Sequence, residues 1–530
     1  MADRAPDASG APAPRPEQPQ PQPRPVLGLF DVTMISMGCI IGAGCFVNPS
    51  AIAGYVHSTG WIFAVWGLGG VIALTGALVF AELAAMFPRS GGQYVFVREP
   101  FGRFPAFMFG WLLLAAIVSN AIAWVGRVFA SHLSIIVDAM RGAEPGSSLT
   151  ALGDGVRVVL QPVADALTLA IEWPGELASS DVLGAKTVAF LLIAVFAWLN
   201  VRGLRLGATV QNVAMVAKIA GIVTVVLLGA GWWLFGGEGS DGASVAGVAA
   251  ANTPGDSGNA AAGITFAAFN AALFKAMFTY GGWQNVTAVG SEVKEPRRTL
   301  PLGILLGTVS VVALYLALNG ALIAILGPAG VAASSTPTAA AAGRVLPHGE
   351  LFVAALVMVS TFAITQALLM VTPRIYFEMA RDGLFLRSIG RLHPRFGTPA
   401  LAITLQAAAA IIHLVLGDVL DLLDMATFFD WLGFTLCAAG LFVLRIRRPE
   451  LPRPYRAWGY PWLPGLFLLL SIWVFVFHFY YAEPKALKRS LWVFLVGLAV
   501  YAAFEWRRRR SELSAAGASC RAARSASSRQ

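Results

Sequence analysis

The stretch Gly38-Cys39-Ile40-Ile41-Gly42-Ala43-Gly44-Cys45-Phe46-Val47-Asn48-Pro49 decides how this chain is read. It lies inside the apolar segment Phe30–Tyr55, which is long enough to cross a bilayer, yet three glycines sit at its middle, where helix propensity is lost. A second apolar segment, Gly263–Gly290, contains Phe278-Thr279-Tyr280-Gly281-Gly282-Trp283-Gln284-Asn285, with two adjacent glycines in the same relative place. A helix broken at mid-bilayer frees backbone N–H and C=O groups, which must face protein or a wet cavity because lipid cannot satisfy them. The end of the first half-helix offers carbonyls, and the start of the second offers amides. One break therefore presents a cation-accepting and an anion-accepting surface side by side, which suits a zwitterion with ammonium and carboxylate on one carbon. A lone Gly38/Gly42 pair reads as a packing seam. Two matching interruptions, each opening a five-segment half, predict inverted repeats with the site at the break.

The rest of the composition agrees with a bilayer as solvent. Of 530 residues, 57% are hydrophobic and only 13% charged, about half the share in a soluble protein. The mean hydropathy is +0.68. A soluble enzyme, a disordered scaffold and a fibrous protein are thereby excluded. Besides the two interrupted segments, ten more are long enough to span. They are Trp61–Phe87, Phe104–Leu133, Lys186–Val201, Ala208–Leu234, Pro301–Leu326, Leu351–Met379, Pro399–Leu416, Leu420–Leu444, Trp462–Tyr481 and Ser490–Trp506. Twelve spans with both termini inside place 28 of the 38 Lys and Arg on the cytoplasmic side and 7 outside, as the positive-inside rule demands. The expected fold is thus an all-α polytopic membrane protein with a 5+5 inverted repeat. Its single transmembrane domain covers residues 26–510, with repeats at about 30–235 and 263–444 and two further helices at 460–506. Residues 1–25, rich in Pro and Gln and without an apolar signal core, are expected to be a disordered cytoplasmic tail, as are 511–530. A short helix is expected around Gln161–Ile171, and Gly236–Ala262 reads as a flexible outer loop.

Several chemistries are absent from the pattern. The four cysteines (39, 45, 437 and 520) form no CxxC, and the six histidines are scattered, so no metal site or cofactor is expected. There is no GxSxG and no phosphate-binding GKS/T. The net charge of +9 and the runs Arg445–Arg448 and Arg507–Arg510 are better explained by topology and anionic lipid than by nucleic acid. An intramembrane enzyme would gather titratable residues at one depth, and a channel would be built from rings of charge; neither pattern is present. A substrate sensor would keep the same site.

Longer motifs carry a family resemblance. Gly38-x-Ile40-Ile41-Gly42-Ala43-Gly44-x-Phe46-Val47-x-Pro49 is joined by Glu82-Leu83-(x)4-Pro88-x-Ser90-Gly91-Gly92-x-Tyr94. Tyr280-Gly281-Gly282-Trp283 is followed by Glu292-Val293-Lys294-Glu295-Pro296-Arg297-Arg298-x-Leu300-Pro301, and Arg374-(x)5-Ala380-Arg381-Asp382-Gly383 by His393-Pro394-Arg395-Phe396-Gly397-Thr398-Pro399. Together they resemble the amino acid–polyamine–organocation superfamily, in particular the L-type amino acid transporter branch and its bacterial relatives. The resemblance implies the leucine-transporter fold and a secondary transporter, not an enzyme, exchanging neutral amino acids without sodium. Proton-coupled uptake and a cationic amino acid or polyamine substrate are the alternatives within the class. It further implies that the substrate carboxylate meets the amides of Ala43, Gly44 and Cys45 beside Gly42 and Ile41. The ammonium meets carbonyls of Ile40, Phe278, Thr279 and Gly281. Phe278 is the gate, Trp283 and Gln284 lie close by, and Ser119 and Asn120 reach in from the third span. Relatives selective for cationic substrates often carry Asp where this chain has Gly281, which favours neutral side chains here. The outer segment Ser134–Ala185 has no cysteine, so no disulfide-linked heavy chain is expected.

Six ionisable residues stand within or at the ends of the spans. Lys218 lies ten residues into its segment, about 15 Å along a helix, too deep to snorkel comfortably. The resemblance implies that its ammonium replaces a sodium ion bridging spans 1, 5 and 8; were sodium coupled instead, Ser360, Thr361 and Thr365 would be its ligands. Lys275 is read as either snorkelling outward or lining an entry path, and Arg127 as snorkelling. Glu82 is expected to pair with a loop arginine, and Asp430, with Asp424, to be structural near the outer end of its span.

Overall fold

The computed structural model describes residues 23–141, 180–235, 264–416, 419–481 and 484–527. The expected N-terminal tail up to residue 22, the helix around Gln161–Ile171 and the loop Gly236–Ala262 lie outside the described residues. Among the described residues the regular structure is helical. Eight helices are long and apolar enough to cross a membrane, and a bent pair makes a ninth. Two shorter apolar helices, Ala400–Leu416 and Trp462–Phe477, accompany them. The chain is therefore an all-α, multi-pass membrane protein.

The bent pair is α1 (Leu29–Ile40) and α2 (Gly44–Val56), which meet at 45°. Then come α3 (Thr59–Met86), α4 (Gln93–Phe101), α5 (Arg103–Leu112) and α6 (Val118–Arg141), with a π-turn at Leu113–Ile117 joining the last two. Next are α7 (Ser180–Arg202), α8 (Leu204–Phe235) and α9 (Phe266–Thr279). After α9 the chain runs as 3-10 turns, Trp283–Ala288 and Gly290–Glu292, and not as the second α-helical half that the sequence suggests. Trp, Asn, Val and Thr fill that stretch, and all are weak helix formers. The chain continues through α10 (Pro296–Ala333), α11 (Pro337–Val345), α12 (Gly349–Val371) and α13 (Pro373–Arg381). It closes with α14 (Ala400–Leu416), α15 (Val419–Arg447), α16 (Trp462–Tyr481) and α17 (Pro484–Ser527). Helix α17 runs on through the tail expected to be disordered from 511, a stretch rich in Ala and Arg, which favour helix.

One end of the bundle is laced by charge. Glu82, fully buried at the end of α3, accepts from Arg445 Nε and Nη2 (2.9 and 2.6 Å) and from the Ala457 amide. Its expected pairing with a loop arginine is thus found. Glu292 and Arg374 form a doubly hydrogen-bonded pair at 2.9 and 3.0 Å, 3% and 1% exposed. Arg98 bonds Asp382, which also accepts from Tyr94 Oη at 2.8 Å. Arg89 and Arg448 share Glu99. Leu27, just before α1, is tied to the Glu292 carbonyl and the Lys294 amide. These contacts gather four connections, α3–α4, α9–α10, α13–α14 and α15–α16, at the same end as the start of α1. Buried carboxylates are tolerated there because each is paired and hydrogen-bonded.

Candidate functional site

The break in α1–α2 consists of Ile41, Gly42 and Ala43. Ile41 ends α1 in an extended conformation (φ −77°, ψ 94°), which turns the chain out of the helix. The first amides of α2, beginning at Gly44, have no carbonyl one turn below them. Beside this break, α9 ends at Thr279, and Gly282 takes φ +119°. A Cβ on Gly282 would lie 2.1 Å from the Cys39 carbonyl oxygen, so the two interruptions touch backbone to backbone. Gln284 Oε1 accepts from the Gly282 amide at 3.0 Å and fixes the turn.

Each break is held from neighbouring helices. Lys218 on α8, fully buried, donates from Nζ to the Ile41 carbonyl at 2.6 Å. Ser360 on α12 donates to the carbonyls of Ile41 and Gly42, both at 3.3 Å. Thr361 and Thr365 spend their hydroxyls on α12 carbonyls. On the other side, Tyr315 on α10 reaches the carbonyls of Ile40 (3.3 Å) and Thr279 (3.4 Å) and so bridges the two breaks. Asn48 Nδ2 adds a link at 2.7 Å to Thr279 Oγ1. Among the described residues, no cluster of three or more His, Cys, Asp or Glu has the arrangement of a metal site.

The breaks open onto a cavity of about 160 Å³. At a share of about 30 Å³ per water in the liquid, that is room for about five waters, the scale of a small amino acid. Of the residues expected there, Ile40, Gly42, Ala43, Gly44, Phe278, Thr279, Gly281 and Gln284 line it. The others are turned away. Ile41 contributes the carbonyl that Lys218 holds. Cys45 points back, its thiol donating to the Gly42 carbonyl at 3.3 Å. Trp283 is 2% exposed and stacks on Phe434, centroids 5.4 Å apart. Ser119 and Asn120 are also absent from the wall: Ser119 accepts from Gln406 Nε2 at 2.7 Å and donates to the Leu114 carbonyl. The π-turn at Leu113–Ile117 is the cause, because one extra residue in a turn rotates everything after it on the helix. It brings Leu113, Ile117, Val118, Ala121, Trp124 and Val125 to the cavity instead.

Sequence reasoning also overlooked Tyr315 and one whole wall. Helix α15 lines the cavity with Thr427, Asp430, Trp431 and Phe434, so Asp430 is a cavity residue and not a structural group near the outer end. Asp424's side chain lies outside the described residues. Lys275 is exposed and outside the wall, and Arg127 is half-buried.

The comparisons agree with this architecture. Residues 27–501 match the amino acid permease family. The chain belongs to that family. The match takes in both breaks, the charged end and every wall of the cavity. The permease is 26% identical to the human b(0,+)-type amino acid transporter 1 over 449 residues, 84% of this chain and 81% of the relative. It is 27% identical to the serine/threonine exchanger SteT of Bacillus subtilis, over 89% of this chain and 95% of that one. It is 25% identical to the rat large neutral amino acids transporter small subunit 2, over 90% and 80% respectively. The permease is thus an amino acid transporter of the membrane and not an enzyme.

Proposed function

We propose that this permease exchanges neutral amino acids across the cell membrane by alternating access, without sodium. The observation that carries the reading is the meeting of two interrupted spans at one cavity. Free amides start α2 there, and carbonyls end α1 and α9. The amides of Ala43, Gly44 and Cys45 take the substrate carboxylate, and the carbonyls of Ile40, Phe278, Thr279 and Gly281 take the ammonium. Phe278 on the cavity wall is the gate. Lys218 supplies a fixed positive charge at the Ile41 carbonyl, 2.6 Å away, in place of a sodium ion.

Twelve spans in two inverted repeats of five, with both termini cytoplasmic, belong to the same reading. The gathering of four connections and the start of α1 at one end supports it, because those connections fall on one side only if the spans alternate as proposed. The arginine content of that end makes it the cytoplasmic one. The names of SteT and the large neutral amino acids transporter subunit support exchange and neutral substrates. With no cysteine between Ser134 and Ala185, the permease works without a disulfide-linked heavy chain.

The test is uptake of labelled neutral amino acids into proteoliposomes lacking sodium and pH gradients. Uptake that requires preloaded unlabelled amino acid is expected. Equal uptake into empty vesicles would reject exchange. As a check on the site, Gly44→Val is expected to abolish uptake in a protein that still elutes as a single species, and retained uptake would move the site elsewhere.

A further inference from the structure

The cavity carries one acidic side chain, and nothing in the proposed handling of the substrate's α-carbon uses it. Asp430 lies on α15, eleven residues past the start of the helix (Val419–Arg447), which is about 16 Å along its axis and so well inside the bilayer. It lines the same cavity as Gly42–Gly44, Phe278, Thr279 and Gly281. Among the described residues its carboxyl makes no hydrogen bond or ion pair. On α6 and α15 the wall around it is mostly apolar or aromatic, with Val118, Ala121, Trp124, Trp431 and Phe434, and Thr427 lies one turn before it. The buried carboxylates at the charged end of the bundle contrast with this: Glu82 and Glu292 are each paired with arginine.

A carboxyl without a partner in a membrane-depth cavity is costly to ionise, and a cationic group arriving beside it removes that cost. Trp124, Trp431 and Phe434 present aromatic surfaces, which attract cations. If the breaks hold the ammonium and carboxylate of the α-carbon, the substrate side chain is left to run toward α6 and α15. We propose that Asp430 is the specificity-determining residue of this permease and receives a side chain ending in an ammonium or guanidinium. The turn after α9 brings Gly281 and no acid to the cavity, and α15 brings one. Cationic amino acids then join the neutral ones as exchange partners. The inference rests on the breaks being the seat of the α-carbon groups.

Arginine and citrulline separate the two ideas, since they share length and shape and differ only in the charge at the end. Full-length permease in proteoliposomes preloaded with unlabelled leucine would be given each in labelled form. Wild type is expected to favour arginine over citrulline by at least about tenfold in kcat/KM, and Asp430→Asn to reduce that ratio by about tenfold or more. Leucine counterflow without any preference for arginine, or an unchanged ratio in Asp430→Asn, would overturn the role of Asp430. Absence of counterflow for leucine and for every other amino acid offered would instead overturn the reading of the breaks. If the Asn variant does not fold, wild type decides the matter alone: arginine should raise its melting temperature in detergent more than citrulline does, and equal shifts would overturn the proposal.

Discussion

The two interrupted spans look alike in sequence and are built differently. In the first, α-helix resumes after three residues at a 45° bend. In the second, α9 is followed only by 3-10 turns. Their supports differ as well. The first break leans on an ammonium, Lys218 at the Ile41 carbonyl, and on Ser360. The second leans on neutral groups: the Tyr315 hydroxyl, the Gln284 side chain and direct backbone contact at Gly282. Glycines mark where a helix stops, whereas the residues after them and the partners on other helices decide what replaces it. The first break is reached by one long, flexible side chain from another helix. The second is held by shape, which any added atom disturbs.

The sharpest way to break that contrast is Gly282→Ala. The new Cβ would lie 2.1 Å from the Cys39 oxygen and 2.6 Å from its carbon, on a residue at φ +119°. Both obstacles are backbone, so no rotamer relieves them. A loss of about 4 kcal/mol or more is expected, of the size reserved for strain and overpacking together. It would appear as collapse of the monodisperse peak in size-exclusion chromatography. Gly44→Ala is the control, since its Cβ would meet only side-chain atoms, Asn48 Nδ2 at 3.3 Å and Thr279 Oγ1 at 3.4 Å. It is expected to fold. A well-behaved Gly282→Ala would mean that the two breaks do not touch.

The contrast also explains what was legible. The spans, the interruptions and most of the cavity lining at the breaks could be read directly, because hydrophobic length and mid-span glycine report on the backbone itself. Ser119 and Asn120 misled because a π-turn leaves no mark in composition and yet shifts every residue after it. Trp283 misled because adjacency in sequence is not direction in space: it packs on Phe434, and the Cys45 side chain likewise folds back on Gly42, which leaves only its amide at the break. Tyr315 gave no signal, being an ordinary aromatic in an apolar run whose partners lie 275 and 36 residues away. Asp430 did give one, an acid at membrane depth, but only the packing of α15 showed which cavity it faces.

Lys218→Met sharpens the comparison by converting the charged support to a neutral one of similar length. Burying an ammonium costs free energy that methionine avoids, so the melting temperature should hold or rise. Exchange should nevertheless fall. A hydrogen bond from a charged donor contributes about 1.5–3 kcal/mol, equivalent to roughly 10- to 150-fold in rate if it is made in the transition between states. Both quantities can be followed in one preparation, by thermal shift and by counterflow. If stability and exchange decline together, Lys218 acts as a structural strut of the first break and not through the transition between states.

Tyr315→Phe probes the second break and should have the smallest effect. Its hydroxyl is shared between two carbonyls at 3.3 and 3.4 Å, long for an O–H donor. The ring itself packs against Trp66 and Tyr280, with centroids 5.7 and 5.1 Å away, and phenylalanine keeps those contacts. Loss of the hydroxyl should therefore cost about 0.5–1.5 kcal/mol, read as a melting-point drop of a few degrees and a two- to fivefold lower exchange rate. Removing it also frees the Ile40 and Thr279 carbonyls for the substrate ammonium, which offsets part of the loss in KM. A lower rate at unchanged KM would mark Tyr315 as a strut between the two breaks. A rise in KM of tenfold or more would mean that the phenol touches the substrate, and that the neutral side of the site takes as direct a part in recognition as the free amides at the start of α2.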